Sequence, residues 1–298
     1  MRITLKQLEV FIAVAQAGNV TRASESLNIT QSAASMALAD FENQLGRKLF
    51  DRIGKRLQLN DAGRLLLPKA LDAVARVADI EHMAGSDEAM IGPLRIGASL
   101  TIGNYMMPGL IGRFMQAHPG AQLTLDVSNT RHVIEAIKHF QVDIGFIEGF
   151  CHEPDLEVLP WGEDELVVFA APTHPLARKA RVDEEDLAAA DWILREPGSG
   201  TREVFDNAVM GRIRRLNLLL EFGHTEAIRQ AVASGIGLGC ASRRTLEDAF
   251  RTGSVVPLAT PFLNLRRELY VLVHRQKFRT QGLELFLRHC QAGVGAPS

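Results

Sequence analysis

The stretch GNVTRASESLNITQSAASMALADFENQLGRKLF, from Gly18 to Phe50, decides the fold of the N-terminal part of this chain. It reads as a short helix from Thr21 to Leu27, a tight turn through Asn28 and Ile29, and a longer helix opened by Thr30 as N-cap. In the second helix Ala34, Leu38, Phe41 and Leu45 recur at three- and four-residue spacing and mark one buried face. Its exposed start, Thr30, Gln31, Ser32 and Ser35, is polar, short and uncharged, and these four are the candidate DNA contacts of the helix. Side chains this small let a helix N-terminus come close in the major groove, where Gln and Ser reach base edges and backbone N–H groups meet a phosphate. The expectation is a helix-turn-helix, although any two amphipathic helices joined by a short turn share this pattern.

The next segment strengthens it. Between Arg47 and Lys69 lie seven basic residues against two acidic ones. Arg52 to Leu59, RIGKRLQL, looks like a tight hairpin with Gly54 at its tip, a wing that lays Arg52, Lys55 and Arg56 along phosphates. A solvated charged face is the plain alternative. Residues 1–70 carry ten Lys/Arg against six Asp/Glu, net +4, whereas residues 71–90 carry one against five, net −4. The whole chain has a formal net charge of −2, so attraction for DNA is confined to the head.

The segment from Leu5 to Arg52 closely resembles the N-terminal signature of LysR-type transcriptional regulators. The resemblance rests on Leu8 to Phe11, Ala23 followed by Leu27, Thr30-Gln31-Ser32-Ala33 with Ser35, Phe41-Glu42, and Leu45-Gly46 running into Leu49-Phe50-Asp51-Arg52. The rest of the chain follows the same family's order. Within the family it is most similar to the YeiE-like group, through Thr101 to Tyr105, Val142 to Gly149, Trp192 to Glu196 and Gly198 to Glu203. The resemblance implies a winged helix-turn-helix domain over residues 1–60, a linker and dimerisation helix with hinge over 61–90, and a two-lobed α/β, periplasmic-binding-protein-like effector domain over 91–298. Lobe I would take 91–161 and 266–298, and lobe II 162–265. It also implies promoter DNA, a second or further copies of this chain (homodimer or homotetramer) and a small effector as partners, with RNA polymerase a further candidate.

The residues themselves agree with that order. Asn60 can cap a helix from Asp61, in which Leu67, Leu71, Val74, Ala78 and Glu81 form a short heptad seam, for pairing or for packing on the chain's own head. Pro68 should kink this helix or end its first turns. Gly85 to Pro93 reads as a hinge. From Leu94 onward short apolar strands alternate with helices, LRIGAS, QLTLDV, VDIGFIE, then ELVVFAAP, WILRE, LNLLLEF and GIGLGCAS, with a helix expected from Tyr105 to Ala117 and a returning strand RELYVLVH. That alternation argues a parallel α/β sheet, with a ligand at the carboxyl ends of strands between two lobes.

Two strand-to-helix junctions face that cleft: Ser99 with Thr101, and Gly198-Ser199-Gly200-Thr201-Arg202. Hydroxyls and free backbone N–H groups at helix starts suit a small oxyanion, and glycines let the backbone approach it. Ordinary helix capping explains each hydroxyl singly. Glu148 ends its strand near the same spot, so an anion there needs Arg202 or Arg195 as counter-charge, or a proton that Glu148 can accept. The resemblance to sulfur-responsive family members implies sulfite or a related oxyanion, although Ile102 stands where those regulators carry a polar residue.

Other chemistry finds little support. Pro197 stands where a nucleophile elbow needs Gly, and Gly235-Ile236-Gly237-Leu238-Gly239 follows a helix and enters a strand, the reverse of a dinucleotide fingerprint. Nine histidines show no paired metal spacing, and Cys151, Cys240 and Cys290 are too scattered for a disulfide framework, so they read as structural thiols. The opening residues lack a signal peptide pattern and no run reaches membrane-spanning length, which places the chain in the cytoplasm. The expectation is a regulator that needs no cofactor, metal or membrane and is not an enzyme. The competing class is a two-lobed α/β small-molecule-binding protein or enzyme whose N-terminal helices serve only for dimerisation.

Overall fold

The computed structural model describes residues 3–54, 56–83 and 91–293. Lys55 and, of the expected hinge, Gly85 to Met90 lie outside the described residues. The head is built from α1 (Leu5–Ala17), α2 (Val20–Ser26), α3 (Gln31–Leu45), β1 (Phe50–Ile53) and β2 (Arg56–Leu59). Each helix is stopped and started by its own sequence. Thr4 and Gln7 form a reciprocal capping box, Gly18 ends α1 at φ +63°, Asn19 caps α2, and Gly46 ends α3 at φ +67°. Phe11 sits between Phe41 and Phe50, each ring centroid 5.7 Å away, and this trio closes the core of the head.

The helix α4 (Asp61–Met83) runs without interruption through Pro68, so of the two expected outcomes the proline does not end its first turns. Proline forfeits one backbone bond, but Leu67 and Ala70 on either side of it are buried in the core of the head and hold the turn in place. Leu71 and Val74 of the heptad seam pack against the same core, so the seam is partly used within the chain; the side chain of Glu81 lies outside the described residues. Leu65 and Ile80, outside the seam, are exposed.

The effector part comprises β3 (Leu94–Ser99), α5 (Leu100–Tyr105), α6 (Met107–Ala117), β4 (Leu123–Ser128), α7 (Thr130–Lys138), β5 (Ile144–Glu148), β6 (Leu156–Ala170), α8 (Glu184–Ala189), β7 (Asp191–Arg195), α9 (Gly200–Val209), β8 (Asn217–Phe222), α10 (Thr225–Ala233), β9 (Leu238–Ser242), α11 (Arg243–Thr252), β10 (Val256–Pro257), β11 (Arg266–His274) and α12 (Gln281–Gly293). The single helix expected over Tyr105 to Ala117 is in fact the second of a pair that divides at Met106. Pro108, with no N–H to give to the preceding turn, sits in the first turn of α6.

One nine-stranded sheet runs through both lobes in the order β4-β3-β5-β11-β6-β9-β7-β8, with β10 on β6. The strands of each lobe are parallel, as β3 with β4 and β5, and β7 with β8 and β9. The sheet is nevertheless mixed, because β6 and β11 run antiparallel to each other and to their other neighbours. These two strands are the crossings between lobes. Each lobe keeps its own core: Phe146, Trp161 and Phe286 in lobe I, and Trp192, Phe205 and Leu238 in lobe II.

Candidate functional site

At the head, Thr30 is spent on capping, since its Oγ1 accepts from the Ala33 N–H at 3.2 Å. Gln31, Ser32 and Ser35 are exposed on the first turns of α3, and Met36 beside them is 66% exposed, an apolar side chain on the same exposed start that the sequence reading does not select. Arg52 and Arg56 are exposed on the hairpin, but the register pairs Arg52 with Leu57 and Ile53 with Arg56, so the two cations leave opposite faces of the ribbon. Glu42 anchors the wing: its Oε1 accepts from the Leu49 N–H at 2.9 Å and its Oε2 meets Lys48 at 2.8 Å. Arg56→Ala is expected to weaken binding to unrelated duplexes by a similar factor and to flatten the salt slope by about one unit. Titrations at several salt concentrations check it, and an unchanged slope removes Arg56 from the phosphate contacts.

Between the lobes, Ser99, Thr101, Glu148, Ser199 and Thr201 are all buried, and one residue that the sequence reading misses links most of them. Arg267, on the crossing strand β11, donates from Nη1 to Thr201 Oγ1 at 3.0 Å and from Nη2 to Thr101 Oγ1 at 3.3 Å. Its Nε donates to Asp164 Oδ2 on β6 at 2.8 Å, and its Nη1 lies 3.7 Å from Glu148 Oε1. Ser242 Oγ donates to the other Asp164 oxygen at 2.8 Å. One guanidinium thus joins the two helix starts across the cleft. Two carboxyl groups share it, and the half-exposed Arg244 brings its Nε within 3.7 Å of Asp164 Oδ1, so the formal charges of the cluster balance.

Capping does not account for the serines. Ser99 and Ser199 occupy the N-cap positions of α5 and α9, yet neither side chain caps its helix. Ser99 Oγ donates to Glu148 Oε2 in a short hydrogen bond. Ser199 Oγ is buried with no hydrogen-bond partner among the described residues, which makes it a polar atom carrying an unmet desolvation cost. The counter-charges expected for Glu148 are engaged elsewhere. Arg202 grips Asp206 at 2.8 Å and donates to the Arg195 carbonyl at 2.8 Å, while Arg195 pairs with Glu196 at 2.7 Å. The structure therefore does not bring Arg202 to the cluster.

Gly198 holds φ +96°, and Gly200 packs where a Cβ would lie 2.1 Å from the Glu148 carbonyl oxygen. This approach is bridged by Thr130, whose Oγ1 donates to that carbonyl and accepts from the Gly200 N–H, both at 3.1 Å. The thiols are remote from such chemistry. Burial pushes Cys240 and Cys290 up to about 12, and burial also raises Cys151. Among the described residues no group of three or more His, Cys, Asp or Glu could hold a metal, and no helix is long and apolar enough to cross a membrane.

A helix-turn-helix head on a two-lobed α/β domain with a polar inter-lobe cluster defines a DNA-binding regulator with an effector domain, and the chain belongs to the LysR family of transcriptional regulators. Residues 5–64 match the family model described as bacterial regulatory helix-turn-helix protein, lysR family, and residues 88–295 match LysR substrate binding domain. The Escherichia coli (strain K12) protein named Uncharacterized HTH-type transcriptional regulator YeiE is 48% identical over 290 residues, 97% of this chain and 98% of that one. A full-length OxyR variant from Pseudomonas aeruginosa shares the fold with a TM-score of 0.75 at 22% identity, covering 98% of this chain and 95% of that one. The regulatory domain of CcmR from Synechocystis PCC6803, solved in complex with 2-PG, aligns at a TM-score of 0.64 and 30% identity over 68% of this chain and 97% of that one. Members of this family are regulators and not enzymes; they bind promoter DNA and form oligomers.

Proposed function

We propose that this regulator binds promoter DNA as a homodimer or homotetramer in the cytoplasm, where it meets RNA polymerase, and that a small oxyanion, sulfite or a close relative, held between the lobes modulates that binding. Gln31, Ser32 and Ser35 contact bases or phosphates, with Arg52, Lys55 and Arg56 on phosphates. The observation that carries the effector reading is the unpartnered, buried Ser199 Oγ, two residues from a Thr201 that Arg267 already ties to Thr101 across the cleft. An anion with several acceptor oxygens satisfies Ser199 and competes for the donors of Ser99 and Arg267. The 2-PG complex of the CcmR regulatory domain supports a small ligand in this fold. The function requires no cofactor beyond the anion.

Charge selects among anions. A dianion entering beside the buried Glu148 carboxylate meets repulsion in a poorly solvated place, whereas a protonated or singly charged species such as bisulfite meets less. Isothermal titration with sulfite and with sulfate, under anaerobic conditions and at two pH values, tests this. Sulfite is expected to bind in preference to sulfate, and Thr101→Val or Ser199→Ala to abolish binding. Glu148→Gln is expected to shift the ratio toward sulfate; an unshifted ratio rejects the role of Glu148. An absence of heat with either anion, in a protein that still binds DNA, rejects the oxyanion.

A further inference from the structure

We infer that helix α7 is a rod that carries relative motion of the two lobes to the DNA-binding head, with Thr130 as its cleft end and Phe140 as the knob it seats in the head. This rests on the reading of the inter-lobe cluster as the effector site, and it adds the route by which that site reaches DNA.

The N-terminal end of α7 is fastened to lobe II by three consecutive residues. Asn129 Nδ2 donates to Glu196 Oε1 at 3.1 Å, Thr130 Oγ1 bridges the Glu148 carbonyl and the Gly200 N–H, and the Arg131 N–H donates to the Gly198 carbonyl at 3.0 Å. Every one of these partners lies in or next to the segments that form the cluster. A change in lobe spacing must stretch or shift them. Val133, Ala136 and Ile137 lay the body of the helix on lobe I, in one buried group with Val142 and Ile147. Nine helical residues span about 13 Å as a stiff unit, and packed elements of this kind shift as bodies rather than deform.

The other end reaches the head. Phe140 is 4% exposed, although it belongs to the effector part, because its side chain is buried in the same cluster as Val10, Phe11 and Val14 of α1. Its φ is +55°, the left-handed turn that ends α7, closed by the Gln141 N–H on the Ala136 carbonyl at 2.8 Å. Its carbonyl accepts from Gln16 Nε2 of α1 at 3.0 Å and from Arg95 Nη2 of β3 at 3.0 Å, and its ring lies 4.3 Å from that of His274. Nearby, Asp143 receives Arg95 at 3.0 Å and Lys277 at 2.8 Å, while Arg76 of α4 stacks 4.3 Å over the Phe278 ring. The junction is therefore held on both the head and the linker helix. Displacing the first turn of α7 moves a residue that the head has buried.

The test is a double-mutant cycle in the full-length chain, with Thr130→Val at one end, Gln16→Ala at the other, and both together. The readout is the dissociation constant for a duplex enriched from a random-sequence pool by the wild-type chain. Both sites lie outside the recognition helix and wing and share no partner, so independent effects would multiply. A rod predicts departure from the product by at least threefold. Effects that multiply within a factor of 1.5, including no effect at all, overturn the inference. Gln16 is only part-buried, so its truncation spares both cores, and melting profiles verify that. In parallel, sulfite is titrated into wild type and Gln16→Ala. Absence of heat in both rejects the oxyanion reading, while the cycle, which uses no effector, still decides the rod. Sulfite that binds both chains equally but alters DNA affinity only in wild type is the result expected if both hold.

Discussion

Replacing Arg267 with methionine is expected to destabilise the protein by about 3–5 kcal/mol, because it leaves the buried Glu148 carboxyl group without a cation and Asp164 with only the half-exposed Arg244 at 3.7 Å. Two hydroxyl acceptors, Thr101 and Thr201, lose their donor in the same step. Equilibrium denaturation followed at Trp161 in lobe I and Trp192 in lobe II would show the loss in both lobes, since the guanidinium ties one to the other. Adding Asp164→Asn and Glu148→Gln to Arg267→Met should restore part of the stability, as the uncompensated charges are then gone. A single substitution that cost less than about 1 kcal/mol would mean that the cluster is not held by charge.

Alanine at Gly200 should act on the same cleft by steric means. Its Cβ would stand 2.1 Å from the Glu148 carbonyl oxygen and 2.8 Å from Thr130 Oγ1, and the first of these neighbours is backbone that cannot rotate away. Overpacking of this kind costs about 1–3 kcal/mol, and relief requires α9 to back off from β5. The Thr130 bridge then breaks and the two hydroxyl-bearing helix starts separate. Sulfite affinity should fall at least tenfold, equivalent to about 1.4 kcal/mol. Calorimetry and denaturation check it; unchanged affinity, with stability within about 0.5 kcal/mol of wild type, would show that the approach is not needed.

The head is the most legible part of the chain, because its caps, turn glycines and helical spacing are local signals. Thr30 and the face carrying Phe41 stand where capping and spacing alone place them. The crossing strands are harder. Strand β6 begins at Leu156, but Pro160 and Gly162 read as breakers; in the structure they flank a register shift opposite Leu269 and Tyr270, and the strand passes through it. Arg267 escapes notice because Arg266-Arg267-Glu268 looks like a solvated strand end. A signal is present nonetheless. Arg267 is in phase with the buried Leu269 and Val271, and Asp164 with Leu166 and Val168, so each charge falls on the inward phase of its own strand. The seating of Phe140 in the head joins residues 124 positions from Gln16 and leaves no local mark.

The thiols of this regulator are held as poor nucleophiles by burial. Burial pushes Cys240 and Cys290 up to about 12 and raises Cys151 as well, so little thiolate is present at neutral pH. The proposed sulfite is itself a reductant and a cleaver of disulfides, and all three cysteines here are free. Under that proposal the ligand meets no disulfide to cleave, and the signal would be reversed by dilution alone.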